Sequence, residues 1–217
     1  LQKAHDELGN GEREEQSGSR LDILLSPEKD ATEEEVRQII DFAAVQELMN
    51  SFYRLTGIGI AILDLKGNIL VATGWQDICT KFHRVHPQTL NNCIESDVFL
   101  SQNVDEGKYI LYKCKNNLWD MVTPIIVGGR HMANLFLGQF FYEDEMPDYE
   151  FFINQAKKYG FNEEEYLAAL ERAPRWNRET VANVMEFYTR FAGMISHLSY
   201  SNVRMTRALI EQKRAEE

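Results

Sequence analysis

The apolar residues change their repeat at Gly57, and that change restricts the folds open to this chain. Before it, Val36, Ile39, Ile40, Ala43, Ala44, Leu48 and Phe52 recur at spacings of three and four, the pattern of one buried helix face. Thr32 with Glu35 three residues on makes a capping box, so the expected helix starts there and runs to about Arg54. After Gly57 the pattern becomes that of a sheet. Ile58 to Asp64 is a short β-rich run, Lys66-Gly67-Asn68 is turn chemistry, and Ile69 to Thr73 answers it as a hairpin. Pro87 to about Asn103 reads as helix, with Leu90, Ile94 and Val98 on one side and Pro87 suited to a first helical position. Lys108 to Cys114, Leu118 to Val127 and His131 to Tyr142 then predict three strands, joined through Lys115-Asn116-Asn117 and Gly128-Gly129-Arg130. Two strands, intervening helices and three more strands predict an α+β fold around a five-stranded antiparallel sheet. Pro124, within the fourth strand, implies an edge position or a bulge.

The remainder is helical. Asp148 to Tyr159 ends before Gly160, and Asn162 caps Glu163 to Leu170 with three carboxylates in the first turn. A long helix starts near Arg178. Val181, Val184, Tyr188, Phe191, Ile195, Leu198, Asn202, Met205 and Leu209 form a heptad seam along it. Its first half suits packing on the sheet as well as a coil, whereas residues 195–217 are expected to form a dimeric coiled-coil connector. Residues 1–30, rich in Gly, Ser and Glu from Gly9 to Arg20, read as a linker or the end of an upstream coil. The globular domain proper is expected over 31–194. The chain opens without Met and ends within a helical pattern, which we read as part of a longer protein.

A net charge of −11 disfavours nucleic-acid binding through a basic face. The apolar runs are far short of the roughly 20 residues of a membrane span, so no membrane partner is expected. Leu1 to Arg20 has no apolar signal segment, and three cysteines make no disulfide framework, which suits a cytoplasmic setting. No Gly-x-Ser-x-Gly, Walker A, Gly-x-Gly-x-x-Gly or His-Glu-x-x-His motif occurs, so no enzyme is expected.

The chemistry gathers between Trp75 and Cys114, which hold all three cysteines, two of five histidines and one of three tryptophans. Cys79 and His83, four apart, share a helix face, and with Cys93 and Cys114 they compose a Cys3His set that would suit zinc. The long gaps and the want of a Cys-x-x-Cys knuckle weaken that reading. Inert buried thiols, or thiols that line a cavity or answer redox state, are the others. A haem is a weaker possibility from the same residues. Trp75, Phe82, Tyr112 and Trp119 are candidate walls of an apolar pocket or plain core aromatics, and Gln139 points an amide at solvent or cavity.

A helix followed by a hairpin with the turn Asp64-x-x-Gly67-Asn68 resembles the opening of PAS and GAF sensor domains. Trp75-Gln76-Asp77-Ile78-Cys79, Phe82-His83, Cys93 to Asp97, Tyr112-Lys113-Cys114-Lys115, Leu118-Trp119-Asp120, Pro124-Ile125 and Gly138-Gln139-Phe140 together resemble a PocR ligand-binding domain over about Phe42 to Tyr200. The resemblance implies a PAS-like sensory module of a prokaryotic transcription regulator or sensor histidine kinase, with a simple hydrocarbon derivative such as a small diol as ligand. Its characteristic cysteines would be Cys79, Cys93 and Cys114, beside His83. Ligand-binding residues are then expected at Trp75, Cys79, Phe82, His83, Cys93, Tyr112, Cys114, Trp119 and Gln139. A homodimer through the last helix and a downstream kinase or other output domain are the expected partners. A metal- or haem-bearing redox sensor built on Cys79, His83, Cys93 and Cys114 is the alternative, and a dimerisation module without a ligand is the third reading.

Overall fold

Helix α1 (Phe42–Thr56) leads into strands β1 (Ile60–Leu63) and β2 (Ile69–Thr73), whose turn is held by a buried carboxylate. Asp64 Oδ1 accepts from the amides of Lys66 (2.9 Å) and Asn68 (2.8 Å), and Oδ2 from Asn68 Nδ2 (2.7 Å). This computed structural model describes residues 39–101 and 104–216. The linker expected over 1–30 and the Thr32–Glu35 capping box lie outside them. The first helix differs from its expected course. It starts at Asp41, whose Oδ1 accepts from Ala44 N at 3.0 Å, so the phase is reset there. Phe42 and Met49 are buried, Val45 and Phe52 pack beside them, and Leu48, Ala43 and Ala44 face outward.

A π-helical turn (Cys79–His83) and helix α2 (Pro87–Ser101) follow, then β3 (Ile110–Lys113), β4 (Trp119–Val127) and β5 (Arg130–Tyr142). The strand order is β2-β1-β5-β4-β3, antiparallel throughout, which is the α+β, PAS-like five-stranded sheet expected. β4 and β5 turn through Gly128 (φ 62°) and Gly129 (φ 83°), both left-handed as a two-residue hairpin of this hand requires. Pro124 pairs with Asn134 on β5 but lies beyond the end of β3, and a bulge follows between Ile125 and Ile126. Its missing N–H therefore disturbs no ladder. The exposed edge of β2 is occupied by a side chain: the Gln46 amide donates to Ala72 O (3.1 Å) and accepts from Ala72 N (3.1 Å).

Helices α3 (Tyr149–Tyr159) and α4 (Glu163–Glu171) follow with Gly160 at φ 71° and the Asn162 cap in their expected places, and Asp148, expected as the first residue of α3, caps it instead. A two-residue strand that the sequence does not announce, β6 (Arg175–Trp176), pairs parallel with Phe141 and Tyr142 of β5. Helix α5 (Arg178–Glu216) then runs back along the sheet.

The sheet has two different faces. On one, Ile60, Ile62, Met121, Ile125, Leu135 and Leu137 meet α1 and the first half of α5 through Val181, Met185, Tyr188, Phe191, Ala192 and Ile195. The heptad seam's first half is therefore sheet packing. Beyond it Leu198, Met205 and Leu209 are 53%, 64% and 62% exposed. The other face carries Ala61, Leu63, Tyr112, Val122 and Phe136, covered by the π turn and α2. Among the described residues no helix is long and apolar enough to cross a membrane.

Candidate functional site

Register brings three residues into a row on the covered face: Tyr112 pairs with Asp120, and Asp120 with Gly138. The middle member is a carboxylate, which is unusual at a sheet centre. Room for it comes from Gly138, where a Cβ would lie only 2.2 Å from Asp120 Oδ1. Gln139 follows with φ 69°, a left-handed conformation that is uncommon for a side-chain-bearing residue. Its Oε1 accepts from Gln76 N at 2.7 Å, which ties the Trp75–Gln76 segment down across the sheet.

The cover supplies the opposite wall. Arg84 closes the π turn, with its N–H donating to Cys79 O at 2.9 Å, five residues back. Such a widened turn re-aims side chains and recurs at functional sites. The Arg84 guanidinium lies 4.5 Å from the centre of the Trp75 ring and donates to Asp97 Oδ2 of α2 at 2.6 Å. Trp75, Arg84 and Asp97 from the cover, Asp120, Phe136, Gly138 and Gln139 from the sheet, and Gly59 and Gly74 beside it line a cavity of about 20 Å³. That is space for roughly one water.

The electrostatics follow from two carboxylates facing one guanidinium. Burial pushes Asp97 up to about 6, against the pull of Arg84. Burial and the neighbouring Asp97 hold the Asp120 carboxyl well above the ordinary range, and Arg84 only partly offsets them. Burial likewise raises Tyr112, the cross-strand neighbour of Asp120, with Asp120 and then Asp97 adding to it. The Tyr112 hydroxyl is buried and makes no hydrogen bond.

Behind this chamber lies a second buried network, which accounts for other residues singled out from the sequence. Tyr166 OH donates to Gln155 Oε1 at 3.2 Å, so its oxygen accepts from His83 Nε2–H at 2.6 Å. That fixes the His83 tautomer, leaving Nδ1 to accept from the Cys79 thiol, with Sγ 3.8 Å away. Gln155 Nε2 donates to Asn116 Oδ1 (2.9 Å), and Asn116 Nδ2 donates to Thr89 O (2.9 Å) and Cys93 Sγ (3.2 Å). Each donor has an acceptor along the chain. Desolvation drops His83 to about 3, so it stays neutral. Burial raises all three thiols, to about 11 for Cys93 and about 12 for Cys114, which disfavours thiolates.

The expected site residues thus separate. Trp75 and Gln139 line the chamber, and Tyr112 stands beside its carboxylates. Cys79, His83 and Cys93 belong to the network behind, and Phe82 packs there against Tyr166 and Phe161. Cys114 touches both apolar clusters of this face. Trp119 packs with the opposite core, its ring against Tyr142 and its Nε1 donating to Glu145. Among the described residues no three of the His, Cys, Asp and Glu side chains are grouped so as to hold a metal ion. Arg84, Asp97, Asp120 and Gly138 are not among the expected site residues, although Asp97, Asp120 and Gly138 fall within the segments that carry the PocR resemblance.

A family model described as the sensory domain found in PocR matches residues 38–200. The chain belongs to the PocR sensory-domain family. A comparison with curated proteins finds no match. The PocR match spans α1, the whole sheet, the cover and α5 as far as Tyr200, so the chamber lies wholly within the sensory domain.

Proposed function

We propose that this PocR domain is the cytoplasmic small-molecule input module of a signal-transduction protein, with a histidine kinase as the favoured output. The carrying observation is the small, partly open chamber between the sheet and its helical cover, lined by Arg84, Asp97 and Asp120, one lining residue of which is bonded to the outgoing helix. Tyr188 OH of α5 donates to Gly59 O at 3.0 Å, and Gly59 lines the cavity. A second tie, Ile126 N to Ser196 Oγ at 3.1 Å, lies eight residues along α5. A cavity of about 20 Å³ admits a small organic ligand only if its walls part. Displacement of the Trp75–Arg84 segment or of Gly59 then shifts α5 against the sheet. The ligand needs to favour the parted arrangement by only about 1–3 kcal/mol to bias the output.

The exposed Leu198, Met205 and Leu209 favour a homodimer through the second half of α5, so that a shift in register passes from one domain to the next. The test is hydrogen exchange on the chain titrated with small polar organics, 1,2-propanediol among them. Slowed exchange in residues 75–84 together with altered exchange around Tyr188 supports the relay. Ligand-induced protection confined to other surfaces, or none with any compound, rejects it.

A further inference from the structure

Once Asp120 ionises the chamber holds one more negative charge than Arg84 can balance, and that specifies a ligand. The ionisable groups that face Asp120 are Asp97, Arg84, Tyr112 and the buried thiols of Cys79, Cys93 and Cys114. Arg84 is the one cation among them, and it is bound to Asp97. Among the described residues Asp120 accepts a single hydrogen bond, from Met121 N at 3.1 Å, and no positive group pairs with it. Next to it across the β3–β4 ladder, just behind the residues that line the cavity, the Tyr112 hydroxyl is buried, 8% exposed as a residue, and without a partner among the described residues. A buried hydroxyl without a partner is a penalty on the folded state that a bound ligand would remove. The free volume of about 20 Å³ is the size of an ammonium head group as much as of a water.

We propose that the chamber selects small primary amines, such as short amino alcohols, with Asp120 as the counter-ion of the ammonium and Tyr112 as its second oxygen partner. The reading rests on the chamber being the sensory ligand site. Burial and Asp97 both oppose a second negative charge and so favour the protonated Asp120 carboxyl. The arriving ammonium allows it to ionise. Asp120–COOH and R–NH3+ become a carboxylate–ammonium pair, the O–H electrons stay on oxygen, and one proton leaves to solvent for each amine bound. The Tyr112 oxygen accepts a second N–H while its hydrogen turns to the carboxylate. The carbon body follows toward the rim between Trp75 and Gln139, the side on which the cover must part.

Matched probes of equal size test the charge requirement: 1-amino-2-propanol, 1,2-propanediol and lactate, titrated by calorimetry in buffers of different ionisation enthalpy. The amine is expected to bind at least about tenfold more tightly than the diol, with about one proton released, and lactate weakest. Asp120→Asn is expected to reduce amine affinity by about tenfold or more and to abolish proton release, with the diol affected little. Tyr112→Phe, which keeps the ring, is expected to weaken the amine by about fivefold or more. Equal or tighter binding of the diol, or amine binding without proton release, overturns the amine assignment while leaving the chamber as the ligand site. Binding of any probe that is unchanged in both variants and in Trp75→Ala removes the chamber itself, and failure of all three probes to bind rejects the amine class.

Discussion

Asp120 and Gly138 face each other across the β4–β5 ladder so closely that a Cβ on Gly138 would meet the carboxylate at 2.2 to 2.7 Å. Glycine here serves space and not backbone freedom. Gly138→Ala must therefore push the Asp120 side chain aside, at about 1–3 kcal/mol for an overpacked site. Asp120→Ala in the same chain should recover most of that loss. Urea unfolding of both single variants and the double variant measures the coupling, and additive effects would contradict it.

Asp120 has no cation of its own, so its raised carboxyl costs stability as pH rises and the unfolded chain ionises freely, and a neutral amide there should stabilise the protein. Asp120→Asn is expected to raise the urea midpoint at pH ~8, where the native carboxyl is pressed to ionise, and to change little at pH ~4. A uniform loss of stability across that range would count against the charge imbalance.

His83 and Asp97 give stability opposite dependences on acid. His83 titrates at about 3 when folded, against an ordinary 6.5. Below pH 6.5 the unfolded chain takes up a proton that the folded chain refuses, so this contribution is lost as pH falls toward 3. Asp97 is raised from 3.8 to about 6, so the folded chain retains a proton and stability is lost as pH rises through that window. The two partly cancel between about pH 4 and 6 in the native protein. His83→Gln, which keeps a donor toward Tyr166, should unmask a decline in stability from pH ~4 to ~6.5 in equilibrium unfolding.

Tyr166 joins the π turn to α3 through His83 and Gln155. Tyr166→Phe leaves a buried N–H and a buried amide oxygen unpaired, at about 1–3 kcal/mol each. Thermal unfolding should report the loss, and hydrogen exchange should rise first between Cys79 and His83. A neutral outcome would require the imidazole to find another acceptor.

Tyr188→Phe isolates the relay. It removes one hydrogen bond to Gly59 O, so stability should fall by only about 1 kcal/mol and ligand affinity should change by less than fivefold or so. Ligand-induced changes in exchange around Ser196 should shrink. An undiminished response there would place the coupling elsewhere on α5.

Local chemistry was readable where a few adjacent residues decide the backbone. The Asp64–Asn68 turn, the Gly128–Gly129 hairpin and the cap at Asn162 each carry their own side-chain partners or glycines. The restart of α1 at Asp41 was obscured because apolar spacing runs through it from Ile39 to Ala44, although an aspartate before a helical run is itself a cap signal. β6 is two residues long and has no pattern to detect. The charged chamber was hidden for a different reason. Arg84, Asp97 and Asp120 come from a turn, a helix and a strand, and on each element they read as ordinary surface charge. Soft ligands drew attention to Cys79, His83 and Cys93 instead, residues that turn out to share one satisfied hydrogen-bond chain.

The near absence of free space in the empty chamber sets the concentration at which such a sensor answers. If parting the cover costs about 2 kcal/mol, only a few per cent of molecules are receptive at any moment, and half-saturation shifts upward about thirtyfold. Substitutions that loosen the hold of Gln139 on Gln76 would lower that threshold without touching the ligand. Wall packing in this fold is then a dial for sensitivity, adjustable separately from the groups that choose what is sensed.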